Sequence, residues 1–140
     1  MTAKEYLSQA RHFDLKINSK LEHLNSLSDL ANKCTSHISG MPGSPLSSKS
    51  LMADAINKVI DLQNEIAEDI KKLVEIKDEI LKVIQRVDDV ELQIILEKRY
   101  LCCNRWEDIA FEMRYSMQHT FRMHTKALKK VGVILKDVIK

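Results

Sequence analysis

Nine residues near the C-terminus have the types and spacing for one kind of chemistry. Arg114, Arg122, Lys126, Lys129 and Lys130 are bases, and Met117, Gln118, His119 and Phe121 lie among them. From residue 114 to 140 the bases are Arg114, Arg122, Lys126, Lys129, Lys130, Lys136 and Lys140, against the single acid Asp137. A helix that salt-bridges along its own surface interleaves acids with its bases, and this stretch does not. A guanidinium can pair with guanine O6 and N7, and a side-chain amide with adenine. Ammonium groups one or two turns further on suit phosphates. The expected chemistry is recognition of duplex DNA. Met117, Gln118, His119, Phe121 and Arg122 would face bases, and Lys126, Lys129 and Lys130 would face phosphates.

Other chemistries lack their spacing. The histidines 12, 23, 37, 119 and 124 are scattered. His119 and His124 are five apart, off the i, i+4 step of a helical metal pair. There is no Gly-rich phosphate loop, nucleophile elbow or HExxH. Glu68-Asp69, Asp78-Glu79 and Asp88-Asp89 read as solvated faces or a helix cap rather than acid–base pairs. Cys102-Cys103 has no ligand cluster beside it and reads as small buried or half-buried thiols. No catalytic residue, metal or cofactor is expected, and so no enzyme. Met113 and Met123 fall on an apolar stripe and belong to a core, while Met117 is expected to be exposed.

Two helices must hold the basic set. The first opens with Asn104 as N-cap and Glu107 three residues on, the spacing of a capping box. Trp106, Ile109, Ala110 and Met113 then share one face. Ser116 can cap the second helix. That helix buries Thr120, Met123, Ala127, Leu128 and Val131. Small Ala110 allows the two helices to cross closely. Short helix, tight turn and longer helix with a basic face outline a helix-turn-helix.

The stretch from Leu92 to Val131 resembles region 4 of sigma-70-type factors. It is more similar still to phage-encoded sigma-70 region 4-like regulators of late genes, the ArpU/RinA type. The resemblance rests on Leu96, Arg99 and Tyr100, then Trp106-Glu107-Asp108-Ile109-Ala110, Tyr115-Ser116, Arg122-x-His124 and Ala127-Leu128-Lys129-Lys130. It covers about 40 of the 140 residues. It implies a three-helix DNA-binding domain, transcriptional control of phage genes and contact with RNA polymerase. One position departs from the pattern. The family usually has Gly in the turn, where this chain has Arg114. The turn therefore either uses ordinary φ values or carries strain of roughly 1 kcal/mol.

The rest of the chain is built for long helices. It has only 3 Gly and 2 Pro, and with 5% aromatics its core must be aliphatic. Residues 3 to about 36 read as one helix, on a stripe of Leu7, Ala10, Ile17, Leu21, Leu24 and Ala31. A second helix is expected from Ser50 or Leu51 to about Val87. Its seam is read as Met52, Ile56, Val59, Gln63, Ile66, Ile70, Leu73, Lys77, Ile80, Ile84 and Val87, in heptad steps of four and three. At 1.5 Å per residue it spans roughly 55 Å. Asp88-Asp89-x-Glu91 offers a fresh N-cap, or the helix continues with a kink.

The expected architecture is all-α: a long antiparallel helical hairpin over 1–87, with a linker at 37–50, then a helix-turn-helix domain over 88–140. Leu62, Val74, Ile76 and Leu81 leave apolar surface beside the seam, so the hairpin is expected to make a homo-oligomer or bind another protein. No apolar run approaches membrane length, no leader is expected from Met1-Thr2-Ala3-Lys4-Glu5, and three unspaced cysteines suit the cytoplasm. A rival reading is an adaptor whose helix-turn-helix contacts protein, or a packaging component that recognises DNA structurally.

Overall fold

The computed structural model describes residues 1–38 and 45–139, apart from the side chains of 34–38, 45–49 and 139. The fold is all-α. Its elements are α1 (Ala3–Leu7), α2 (Gln9–Ile38), α3 (Pro45–Gln85), α4 (Val90–Leu96), a π-helical segment (Glu97–Leu101), α5 (Trp106–Met113) and α6 (Met117–Ile139). Among the described residues no helix is long and apolar enough to cross a membrane.

Local chemistry sets most boundaries. Thr2 and Glu5 form a capping box on α1. A turn at Ser8 then separates α1 from α2, so the expected single helix over 3–36 is two. α3 begins at Pro45, earlier than residue 50, because proline's fixed φ suits the first helical position. Of the expected linker, 39–44 lies outside the described residues. α3 ends where Arg86 and Val87 donate to carbonyls only three residues back, Val83 and Ile84. The Gln93 amide then donates to the Val87 carbonyl at 2.5 Å. Asp89 caps α4 through the Glu91 N–H at 3.0 Å. The chain therefore breaks and restarts here instead of kinking.

Two compact units share the chain. One is Asp14–Lys72; the other joins Met1–Phe13 to Leu73–Lys140. This division does not coincide with the expected boundary at 87 and 88. The first unit is antiparallel: Lys20 meets Asp69 and Glu65, and further along α2 Leu27 borders Leu62 and Lys58. Its α3 seam differs from the expected one. Val59 and Ile66, and Leu73 just past the unit's end, face inward or halfway in, but Ile56, Gln63 and Ile70 are exposed, and Leu62 and Asp69 are buried. The inward row advances by three and then four residues, not four and then three. On α2, Leu21 is likewise exposed and Lys20 half-buried. Lys20 Nζ donates to Asp69 at 2.6 Å, and that bond lets a carboxylate occupy a seam position. The same hydrogen bond holds the Asp69 carboxyl below its usual range.

In the second unit α1, α4 and α5 all pack on α6. Its core takes Leu7 and Ala10, then Ile80 and Ile84 from α3 and Val87 from the turn after it. Leu92, Ile95 and Leu96 of α4 meet Ile109, Ala110, Ala127 and Val131 there, every one 5% exposed or less. Each large aliphatic side chain buried this way contributes about 1.5–3 kcal/mol.

Candidate nucleic-acid interface

α5 is anchored differently from the expected way. Its N-cap is Arg105, with no side-chain cap bond, so Asn104 and Glu107 do not form a capping box. The π-helical segment just before it shifts the register by one residue, through Cys102 N–H to Glu97 O at 3.0 Å. Asn104 is thereby drawn back as an acceptor: its carbonyl takes a bond from Arg99 at 3.1 Å. Cys103 adopts a positive φ of 57°. Cys102 and Cys103 are both exposed, not buried thiols. Lys98 pairs with Glu112 and ties the segment to α5.

The turn between α5 and α6 is closed at Arg114, with φ 60° and ψ 38°. Tyr115 N–H reaches the Ala110 carbonyl at 3.0 Å and Arg114 N–H the Phe111 carbonyl at 3.2 Å. This Schellman closure needs a left-handed residue, normally glycine. Of the two possibilities left open by the Gly-to-Arg departure, the strained one holds. Tyr115 donates to Glu91 at 2.6 Å and pins the turn to α4. Ser116 Oγ accepts the His119 N–H at 3.1 Å, so Ser116 caps α6 as its sequence position suggests.

α6 sorts its residues by face. Thr120, His124, Ala127 and Val131 are buried, with Met123 and Leu128 half-buried beside them. On the opposite face Gln118, Phe121, Arg122, Lys126 and Lys129 are exposed and line one open recess together with Thr125. No acid lines that recess. The other four expected residues do not join it. Arg114 is exposed but sits at the end of α5. Met117 is half-buried, contrary to its expected exposure. His119 is half-buried, its ring edge-on to Tyr115 at 4.5 Å. Lys130 is already paired with Asp88 at 2.6 Å, and that bond lowers the Asp88 carboxyl pKa. Lys130 is thus directed to Asp88 and does not line the recess.

Behind the recess lies an aromatic cluster that sequence spacing did not reveal. His124 Nε2 meets the Tyr100 hydroxyl at 2.6 Å. The Trp106 ring stands edge-on to His124 at 4.6 Å and to Phe121 at 5.4 Å. The Arg99 guanidinium lies 4.8 Å from the Trp106 ring centroid. Burial, then the positive charges of Lys4 and Arg99, push His124 down to about 4. Burial raises the Tyr100 phenol. Both groups are neutral near pH 7. The only local signal was the place of His124 four residues after Thr120 on the buried face; Tyr100 lies 24 residues away.

No protein-family model matches this chain, and no curated protein or solved structure matches it significantly.

Proposed function

We propose that this protein is a non-enzymatic, sequence-specific DNA-binding regulator of transcription. The observation that carries the reading is the outward face of α6. Gln118, Arg122, Lys126 and Lys129 share one open recess, unopposed by any acid. Gln118 and Arg122 lie toward the N-terminal end of the helix, where a helix in the major groove reaches base edges. Lys126 and Lys129 follow one to two turns later, in position for phosphates. The resemblance to sigma-70 region 4-like phage proteins supports the same reading. It adds late phage genes, RNA polymerase and the cytoplasm of a bacterial host as the proposed setting.

Self-association through the hairpin belongs to this reading. Ile56, Ile60 and Ile70 on α3 are each more than two-fifths exposed. A second copy that covered them would remove apolar surface from water. Light scattering that finds only monomer at high protein concentration would refute that part.

The main test is fluorescence anisotropy on duplexes selected from a random pool and on scrambled ones, across a salt series. Arg122→Ala should lose roughly 1–3 kcal/mol on the selected site and much less on the scrambled duplex. Lys129→Ala should weaken both alike and lower the salt slope by about one unit. Indifference of the wild-type protein to duplex DNA would overturn the reading. It would favour an adaptor that contacts protein, for which Phe111, 84% exposed on α5, is the supporting observation.

A further inference from the structure

A second feature of the C-terminal unit is a partly enclosed cavity of about 200 Å³. Lys4 of α1, Ser8 and Arg11 line one side. Arg99 and Tyr100 of the π-helical segment line the other. Trp106, Phe121 and His124 complete the wall. Three permanent cations thus face one small space, and no acid does. Neither Lys4 nor Arg11 pairs with a carboxylate among the described residues. Arg99 uses one N–H on the Asn104 carbonyl and lays its plane by Trp106, which leaves other guanidinium donors unspent.

His124 adds a neutral imidazole to the lining. It is only 9% exposed, and its Nε2 is engaged by Tyr100. No fully buried side-chain nitrogen or oxygen among the described residues lacks a partner. Nδ1, which makes no hydrogen bond in the structure, is therefore not sealed in the core, and its ring lines the cavity. In the tautomer whose Nε2 accepts the Tyr100 hydroxyl proton, the ring proton sits on Nδ1 and is available to a ligand. The backbone points the same way: a π-helical insertion, a frequent mark of functional sites, turns the consecutive Arg99 and Tyr100 both toward this space.

We propose that this cavity binds a phosphate group: inorganic phosphate or the phosphate of a small monoester. Lys4, Arg11 and Arg99 neutralise its charge, and the Ser8 hydroxyl and His124 Nδ1–H donate to its remaining oxygens. Three cations that no carboxylate neutralises among the described residues suit a dianion better than a carboxylate's single charge. Donors converging from three separate segments suit a tetrahedral group better than a planar one. The size admits such a group and not a duplex. The cavity shares only Phe121 with the α6 recess, so the proposal does not rest on DNA binding.

Trp106 is the only tryptophan in the chain and reports on the site. The full-length protein, in phosphate-free buffer at constant ionic strength, is titrated separately with inorganic phosphate, glycerol 3-phosphate, chloride and a short duplex. Saturable change in Trp106 emission with phosphate or with the monoester, and none with chloride, is expected; the tighter of the two identifies the source. The double variant Lys4→Gln with Arg11→Gln changes two exposed side chains, and circular dichroism checks its helix content. It should bind at least about tenfold more weakly. A response to the duplex alone would make the cavity an extension of the nucleic-acid surface and overturn the proposal. So would the absence of saturation, or an unchanged response in the double variant. Arg122→Ala, which tests the DNA reading, should leave phosphate binding intact.

Discussion

Lowering the pH should destabilise the C-terminal unit through His124 before the carboxylates begin to titrate. The ring is 9% exposed, bonded to Tyr100 and close to Lys4 and Arg99, and its pKa is pushed down to about 4. In the unfolded chain a histidine titrates near 6.5. The unfolded state therefore binds the proton more readily, and stability rises with pH through this window. The contribution is complete above about pH 6.5 and is lost progressively down to about pH 4, below which it levels off. Between pH 8 and pH 5 the two pKa values give a loss of about 2 kcal/mol, approaching about 3 kcal/mol near pH 4. Urea unfolding followed by Trp106 emission reads the correct unit, since that ring lies 4.6 Å from His124. The buffer must lack phosphate, because an oxyanion beside Lys4 and Arg99 would restore some of the lost basicity. His124→Gln loses packing at every pH but carries no titration. The gap between wild type and variant should therefore shrink by about 2 kcal/mol on going from pH 8 to pH 5. A constant gap, or a His124 proton resonance titrating near 6.5, would refute the argument.

Two further substitutions test the local geometry. Arg114→Gly should stabilise the unit by about 1 kcal/mol, because φ 60° carries no Cβ penalty in glycine; a lower urea midpoint would mean the turn is not left-handed. Asp69→Asn keeps the side-chain shape and removes the charge bonded to Lys20. Because the native carboxyl is held below its usual value, its contribution is present above about pH 4 and lost as pH falls through the native pKa. The variant should be less stable at pH 7 and should converge with wild type in acid, by urea unfolding followed by circular dichroism. A difference that persists unchanged below pH 3 would show that the bond to Lys20 is not what holds Asp69 inside.

Features that depend on a few neighbouring residues were legible in the chain itself. The caps at Asp89 and Ser116 follow from a short side-chain oxygen beside free N–H groups. The burial of Ile109, Ala110, Thr120, Ala127 and Val131 follows from helical period, as does the outward position of Gln118, Arg122, Lys126 and Lys129. The all-α class follows from long amphipathic patterns with few breakers.

Contacts between distant residues decided the rest. In α3 the row through Val59, Ile66 and Leu73 could be completed by residues four further on or three further on. Hydropathy favoured Ile56 and Ile70; packing against α2 chose Leu62 and Asp69, because Lys20 arrives to bond the carboxylate. Lys130 looked as free as Lys129 until Asp88, 42 residues earlier, took it. His124 read as one of five scattered histidines until Tyr100 and Trp106 closed around it. The cavity of Lys4, Arg11 and Arg99 joins residues nearly a hundred positions apart. Periodicity reports which face of a helix is apolar. Only the fold reports which side chain stands opposite it, and that neighbour sets the cost of burying a charge.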